Sequence, residues 1–314
     1  MTLYVCGEAL IDFVPTNIAN NEIAYLPKPG GSPYNVALAA SRVGYKTHFI
    51  GNISTDIFGD ILYDHLTQNG VDCTLSERSD YPSTLAFVDY HLGEPRYAFF
   101  NQNSTNINLN PQLPQNMSPE GAFHVGSISL IEPPAVDRII SKALSVCHSH
   151  LLSIDPNVRV NLIPNRTNWL KTIQPVMEAA SIIKLSDEDL NFIAPDMSPV
   201  QFAQNAIAGT DKLLIVTHGS DGATAFQNNH IIERDVPVVT IQDTVGAGDT
   251  LMGTILTWLL NKGITTPSKM ANVTSNDLGQ MLDYGVTAAA LNCTKSGCNP
   301  PSQNDIETAL ASWY

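Results

Sequence analysis

The sequence has few of the features that mark secreted, membrane or zinc-binding proteins. Its five cysteines are scattered along 314 residues, and no CxxC pair occurs, which favours reduced thiols over disulfides or a zinc site. No stretch approaches the ~18 apolar residues of a membrane span. The N-terminus, MTLYVCGEALIDF, lacks the basic region and long apolar core of a signal peptide. These absences predict a cytoplasmic protein.

Basic residues are also scarce. Lysine and arginine number 16 against 30 aspartates and glutamates, for a formal charge of −14. Nucleic acid and anionic membrane are therefore poor partners for the surface as a whole, although a local basic pocket for a small anion is still allowed. Hydrophobic residues make up 43% and charged ones 15%, which indicates a globular chain with a sizeable core.

The second half of the chain alternates between apolar strand patterns and helical patterns. Strands are predicted at 122–130, 150–157, 181–186 and 212–219, and helices at 134–147, 166–180, 187–193 and 199–208. This alternation predicts a parallel sheet covered on both faces by helices. Ligands in such folds gather at the carboxyl ends of the strands, so the residues that follow each strand are candidates for a site.

The first half predicts a different arrangement. After a short strand in LYVCG, helices are predicted before Gly44 and before Gly70. The segment TLAFVDYHLGEPRYAFF (84–100) has two β-rich arms around the turn LGEP, which predicts a β-hairpin that forms a lid over a site or a dimer contact. The polar segment 101–116 that follows is predicted to be a loop.

The stretch DTVGAGDTLMGTIL (243–256) places small residues and two acids at the start of an apolar helix. A helix N-terminus attracts anions, and Gly246, Ala247 and Gly248 would leave its backbone N–H groups bare. Asp249 beside them could accept a proton from a hydroxyl that attacks a phosphate. Alternatively, Asp243 caps the helix and Asp249 is an ordinary first-turn acid; this stretch alone does not decide. It is neither a Walker motif nor a GxGxxG fingerprint.

A second glycine-rich stretch, PGGSPYNVALAASRVG (29–44), also opens a helix. Together the two motifs resemble the ribokinase/fructokinase family of carbohydrate kinases, the phosphofructokinase-B type, and the fructokinases most of all. GEALIDF, DPNVR, IIKLSDED and VTHGSDG match further blocks of that family in the right order. The resemblance implies a ribokinase-like three-layer α/β/α sandwich with a mostly parallel sheet. It also implies one domain over 1–314, with a small β lid from 13–30 and 84–106.

The resemblance implies an ATP- and Mg²⁺-dependent transfer of the γ-phosphoryl group to a primary hydroxyl of a neutral sugar, with D-fructose as the first choice. Asp249 matches the catalytic base, and Gly246, Ala247 and Gly248 match the anion hole. Arg159 of DPNVR matches an arginine near the reacting groups. The positions that match sugar-binding residues are Asp12, Gly30, Gly31 and Asn35, with Tyr97 and Phe99 as aromatic residues of the lid.

The nucleotide and metal positions carry over by the same resemblance. Asp189 stands where the family has glutamate near hydrated Mg²⁺, and Glu188 is an alternative. Asp243, with the loop SGCNPP (296–301), could hold a monovalent cation such as K⁺. The positions that match nucleotide-binding residues are Lys184, Ser186, Thr217, Gly219, Gly222 and Asn292.

Other substrates and functions remain open. Asn101 and Asn106 replace an arginine and an acid in the usual lid pattern; this disfavours the acidic sugar 2-keto-3-deoxygluconate and leaves ribose, another neutral ketose or a nucleoside as alternatives. An NAD-dependent oxidoreductase would need a GxGxxG after the first strand, and a serine hydrolase built on Ser220 would need GxSxG. Neither motif is present. A catalytically dead protein of the same fold would be expected to lose Asp249. His218 is predicted to be a hydrogen-bonding residue.

Overall fold

The computed structural model describes residues 1–17, 22–91 and 94–313. Its helices are α1 (Ser32–Arg42), α2 (Ile57–Gln68), α3 (Ala135–Val146), α4 (Arg166–Ala179), α5 (Asp187–Ile193), α6 (Pro199–Ala206), α7 (Ala247–Asn261), α8 (Ser275–Cys293) and α9 (Gln303–Trp313). Its strands are β1 (Thr2–Cys6), β2 (Leu10–Asn17), β3 (Ile23–Gly30), β4 (Thr47–Ile50), β5 (Asn52–Ser54), β6 (Glu77–Ser79), β7 (Thr84–His91), β8 (Glu94–Phe100), β9 (Gly121–Gly126), β10 (Leu151–Asp155), β11 (Ile182–Ser186), β12 (Leu213–Thr217), β13 (Ala223–Gln227) and β14 (His230–Arg234).

An eight-stranded sheet forms the centre of the molecule, in the order β14-β13-β12-β11-β10-β9-β1-β4. The strands from β12 to β4 are parallel, whereas β13 and β14 are antiparallel additions at one edge. Successive side chains of each strand point to opposite faces. In β1, Leu3 and Val5 pack with α1, α2, α7 and α8, while Tyr4 and Cys6 pack with α3 to α6. These three layers confirm the predicted α/β/α sandwich.

A second sheet, in the order β3-β2-β7-β8, lies over one end of the first. Strands β7 and β8 pair antiparallel from Leu85↔Phe100 to His91↔Glu94, which confirms the predicted hairpin. Strand β2 pairs with β7 in parallel and with β3 antiparallel, up to Leu10↔Gly30. Residues 13–30 are assigned to the β lid by resemblance, without predicted bounds for strands β2 and β3.

The predicted helix ends are confirmed, since Gly44 and Gly70 both have φ of 80° just after α1 and α2. The strand predicted at 122–130 is wrong in its second half. Strand β9 ends at Gly126, and Ser127–Leu130 form a 3₁₀ turn that begins with Ser127 at φ 60°. Within the described ranges, no helix combines the length and apolar character needed to cross a membrane.

Candidate active site

A cavity of about 410 Å³ lies between the carboxyl ends of the central strands, the start of α7 and the lid sheet. Parallel sheets place ligand sites at this edge. The cavity gathers most of the site residues predicted from the two glycine motifs, the DPNVR block and the lid. These are Asp12, Gly31, Asn35, Tyr97, Phe99, Arg159, Lys184, Asp243, Gly246, Ala247, Gly248 and Asp249.

The start of α7 presents backbone with almost no side chains. Gly246 caps the helix in the left-handed conformation, with φ 75° and ψ 8°, and a Cβ there would overlap the thiol of Cys298. A Cβ on Gly248 would lie 3.1 Å from Nζ of Lys184. The first N–H groups of a helix have no partner within it. The Ala247 N–H donates to the Thr244 carbonyl at 3.2 Å. The exposed backbone at Gly246 and Gly248 and the Lys184 ammonium group meet at one point of the cavity, which is an arrangement suited to an anion.

Asp249 lies in the first turn of α7 and is only 8% exposed. Its Oδ1 accepts a hydrogen bond of 2.6 Å from the Ser32 hydroxyl, and its Oδ2 accepts one of 2.8 Å from Nδ2 of Asn35. Burial raises the pKa of Asp249, and these two donors with Lys184 and Arg159 oppose the rise without cancelling it. A partly desolvated carboxylate with a raised pKa has the properties of a proton acceptor.

The lid side of the cavity carries Asp12, at the beginning of β2. Burial raises the pKa of Asp12 to about 7; Arg159 lowers it and Asp249 raises it further. Gly30 pairs beside this strand, and a Cβ on it would overlap the Asp12 carboxylate. The glycine therefore makes room for the acid.

Tyr97 and Phe99 of β8 both face the cavity and stack on each other, with ring centroids 5.8 Å apart. The guanidinium of Arg159 lies 5.9 Å from the centre of the Tyr97 ring. Arg159 is itself held by Asn157, whose Oδ1 accepts a hydrogen bond of 2.6 Å from Nη1. The hairpin thus brings two aromatic rings and one fixed cation to the open side of the cavity.

Two buried acids of the site were not predicted as site residues. Asp155 is fully buried and forms an ion pair of 2.9 Å with Lys184. Glu8 accepts hydrogen bonds from the backbone N–H groups of Ser32, at 3.1 Å, and Ser129, at 3.2 Å; burial raises its pKa to about 7. The signals were present in the sequence, because Asp155 lies near the end of the strand predicted at 150–157 and Glu8 is the second residue of GEALIDF.

Ser186, Glu188 and Asp189 lie outside the cavity lining. Ser186 and Asp189 form a capping box at the start of α5, and the Asp189 carboxylate accepts hydrogen bonds from the N–H groups of Val158, at 2.6 Å, and Ser186, at 2.8 Å. The Asp189 oxygens fix two backbone segments and the residue is 3% exposed, so this arrangement does not favour the predicted role of Asp189 as a magnesium ligand. Glu188 is exposed on the outer side of the same turn.

The TxGxxG block forms a tight turn between β12 and β13. Gly219 and Gly222 have φ of 57° and 106°, and a Cβ on Gly222 would overlap the carbonyl of Arg234. Thr217 ends β12 and, like both glycines, does not line the cavity. His218 contacts Asp187 at 2.9 Å and Thr224 at 2.9 Å through its two ring nitrogens, so its prediction as a hydrogen-bonding residue is confirmed.

The structure places Asn292, which was predicted to line an adenine pocket, in a network of loop hydrogen bonds. Asn292 is fully buried, donates to the carbonyl of Val245 at 2.8 Å and accepts from the N–H of Asn299 at 2.8 Å. It ties the loop before α7 to the loop after α8. Asp243 supports the same junction, since its carboxylate accepts from Val245 N–H at 3.0 Å and Gly297 N–H at 2.8 Å.

The asparagines that replace charged residues of the usual lid pattern do not face the cavity. Asn101 and Asn106 are 8% and 3% exposed, and Oδ1 of Asn101 accepts hydrogen bonds from Nδ2 of Asn106, at 3.3 Å, and from the Ser104 hydroxyl, at 2.8 Å. They therefore cannot select neutral sugars by direct contact. Throughout the part of the chain that the structure describes, no group of three or more His, Cys, Asp or Glu residues forms a metal site.

Comparison with known proteins agrees with this geometry. A family model described as pfkB family carbohydrate kinase matches residues 2–305. A fructokinase of Rhizobium leguminosarum bv. trifolii is 31% identical over 269 residues, which are 85% of this chain and 82% of the relative. A probable fructokinase-3 of Arabidopsis thaliana is 33% identical over 311 residues, which are 96% of this chain and 88% of the relative.

Solved structures share the fold over the whole chain. The crystal structure of a fructokinase with bound ATP from Xylella fastidiosa has a TM-score of 0.86 at 23% identity, covering 99% of this chain and 98% of the other. A fructokinase double mutant from Vibrio cholerae O395, in fructose, ADP and potassium ion bound form, has a TM-score of 0.82 at 24% identity and covers 99% and 97%. At these identities the likeness establishes the fold.

Proposed function

The chain belongs to the pfkB family of carbohydrate kinases, and from that premise we propose that it is a fructokinase, which transfers the γ-phosphoryl group of ATP to a primary hydroxyl of D-fructose. The family supplies the reaction class, a phosphotransfer to an alcohol group. The choice of fructose rests on the relatives, since those at 31% and 33% identity both carry the name fructokinase.

The observation that carries the proposed mechanism is the place of Asp249 beside the bare start of α7. The sugar hydroxyl gives its proton to the Asp249 carboxylate while its oxygen forms a bond to the γ-phosphorus, and the bond from that phosphorus to the ADP oxygen breaks. Negative charge on the transferred group faces the N–H groups at Gly246, Ala247 and Gly248. Fixed donors aimed at developing charge are the usual source of such catalysis. Lys184 adds a positive charge 3.1 Å from the position of a Cβ on Gly248.

Sugar binding is assigned to the opposite wall of the cavity. Asp12 and Asn35 offer a carboxylate and an amide, and the backbone at Gly30 and Gly31 offers close approach, which together suit the convergent hydroxyls of a ketose. Tyr97 and Phe99 cover the sugar from the lid and exclude water. Arg159 bridges the two sides, because its charge acts on both Asp12 and Asp249.

ATP enters as its magnesium complex. Mg²⁺ keeps several waters and is usually held by substrate phosphates with one or two carboxylates, so a preformed protein cage is not required. Asp189 is already used by the backbone and Asp187 contacts His218 at 2.9 Å, which leaves Glu188 as the acid of this turn that a hydrated ion could reach. Ser186, Thr217, Gly219 and Gly222 are proposed as the outer, nucleotide-side rim. Asp243 and the loop 296–301 are the proposed place for potassium, the ion named in the Vibrio cholerae structure.

We also propose that two copies associate through the outer face of the lid. Phe87 lies between Tyr25 and Phe100, with ring centroids 5.4 and 5.5 Å away, and the outer two rings are 42% and 61% exposed. A two-fold contact would place this aromatic strip against itself. Light scattering should give a dimer that Phe100→Ser weakens, and a monomer at all concentrations would contradict the contact.

The test of the function compares Asp249→Asn with wild type in an ATP-coupled assay. The variant keeps the shape of the side chain and removes the base, so kcat should fall by ~10² or more with nearly unchanged fructose affinity. Wild type is screened against fructose, tagatose, ribose, glucose, 2-keto-3-deoxygluconate and nucleosides. A response to a substrate other than fructose would overturn the choice of sugar, and full turnover by Asp249→Asn would overturn the mechanism.

A further inference from the structure

The cavity holds a serine that the reaction as described above does not use. Ser32 is the first residue of α1 and is 5% exposed. Its hydroxyl donates a hydrogen bond of 2.6 Å to Oδ1 of Asp249, from 217 residues away in the sequence. This is the shorter of the two side-chain hydrogen bonds described above for that carboxylate.

The backbone of Ser32 is fixed by a separate contact. Its N–H is one of the donors that have no partner within the helix, because it lies at the helix start. It donates instead to Oε1 of Glu8 at 3.1 Å. Gly31 precedes it with φ 108°, and a Cβ on Gly31 would lie 2.8 Å from the carbonyl oxygen of Glu8. Glu8 is anchored in turn by Ser129 N–H at 3.2 Å. Glu8 therefore fixes the backbone of Ser32, and this places the Ser32 hydroxyl within hydrogen-bond distance of Asp249.

We propose that Ser32 is a positioning residue of the reaction: held by Glu8, its hydroxyl orients the Asp249 carboxylate and keeps it in the ionised form that can accept a proton. This inference rests on the proposed role of Asp249 as the base. A carboxylate oxygen can accept two hydrogen bonds. Ser32 and Asn35 occupy one acceptor site on each oxygen, which leaves a site for the sugar hydroxyl.

The charge state of Asp249 is set by opposing influences. Burial raises its pKa, and the Ser32 hydrogen bond is the largest of the influences that lower it, ahead of Asn35, Lys184 and Arg159. Further acidic groups act on it through space from β2 and from β10. These are Asp12 and Asp155, whose own pKa values Asp249 raises; the Cys298 thiol, in the loop after α8, also lies close by, but its pKa is raised well above its usual value, so it is neutral. Removing the Ser32 donor should shift the balance toward the protonated, inactive form.

The test is the pH dependence of kcat/KM for Ser32→Ala. We expect the acid limb to move upward by about one pH unit, so that activity falls roughly tenfold below the limb and recovers to within about threefold of wild type above it. The KM for fructose should change little, and Ser32→Thr should restore the wild-type profile. Ser104→Ala is the matched control, because that buried hydroxyl donates to Oδ1 of Asn101 and not to Asp249 or to Glu8.

The outcomes separate this inference from the proposed function. Asp249→Asn is expected to lose turnover. If it does, but the pH profile of Ser32→Ala superimposes on that of wild type or is lowered equally at every pH, the role of Ser32 is overturned and the role of Asp249 as the base is kept. If Asp249→Asn keeps its turnover, the proposed function fails first. Should Ser32→Ala not fold, Ser32→Cys, which keeps the shape with a weaker donor, must show the same upward shift, and an unshifted profile overturns the inference.

Discussion

Nζ of Lys184, which lines the cavity, and Oδ2 of Asp155 lie 2.9 Å apart, with side-chain exposures of 5% and 0%. Asp155 is the last residue of β10 and Lys184 is the middle residue of the adjacent parallel strand β11, so the pair is set by the register of the two strands. Burial lowers the pKa of Lys184, but Asp155 and Asp189 raise it more, and the net shift is upward. The ammonium beside Gly248 is therefore kept charged by acids behind it.

Asp155→Asn should destabilise the protein strongly, because it leaves the Lys184 charge buried without a partner. We expect a loss of about 3–5 kcal/mol in the free energy of unfolding, measured by urea denaturation. Asp60→Asn is the control: it removes an exposed pair with Arg78 and should cost about 1 kcal/mol or less. Equal losses for the two variants would contradict the buried pair.

Gly248→Ala should separate stability from activity. Gly248 is helical, and alanine is the better helix former by about 1 kcal/mol, so thermal stability should be kept or raised. The new Cβ would lie 3.1 Å from Lys184 and cover the bare amides, so kcat should fall by about 10²-fold. Full activity in a folded variant would show that this helix start does not hold the phosphoryl group.

Asp12 should make stability depend on pH. Its pKa is raised from 3.8 to about 7 in the folded protein, so the folded state binds the proton more tightly than the unfolded chain. Its contribution to the free energy of unfolding is fully present below pH 4. That contribution is lost as the pH rises to about 7, at about 1 kcal/mol per pH unit. The difference in unfolding free energy between wild type and Asp12→Asn should follow this slope, and a constant difference from pH 4 to 8 would refute it.

Asn292→Ala tests whether this residue supports the loops or touches the nucleotide. Loss of its two hydrogen bonds should leave the Val245 carbonyl and the Asn299 N–H unpaired and cost about 1–3 kcal/mol of stability. The exposed Asn272→Ala should cost about 0.5 kcal/mol or less. A variant of unchanged stability with a raised KM for ATP would instead return Asn292 to the adenine site.

The sequence predicted the parts of the fold and site that depend on local pattern. Alternating strands and helices identified the parallel sheet, and the two glycine-rich helix starts identified the residues around Asp249. Gly246 is an example. Its left-handed conformation next to Cys298 tolerates no side chain, so glycine is required there and can be recognised in the sequence.

What the sequence could not give depends on which groups meet after folding. The sequence around Asp189 resembles a metal-binding motif, but its carboxylate accepts a hydrogen bond from the N–H of Val158, 31 residues away in the sequence. Asn101 occupies a lid position in the sequence pattern, but in the structure it is buried and accepts a hydrogen bond from Ser104. The Ser32–Asp249 hydrogen bond joins two sequence motifs, and neither motif indicates how it is oriented toward the other. Burial and partner choice at these positions are set by tertiary packing.

The most direct test of the central claim is a crystal structure with fructose and a non-hydrolysable ATP analogue bound. We expect the terminal phosphate within hydrogen-bond distance of the N–H groups at the start of α7, and a primary hydroxyl of the sugar within about 3 Å of the Asp249 carboxylate. A terminal phosphate bound away from Gly246 and Gly248, or a sugar whose hydroxyls do not approach Asp249, would contradict it.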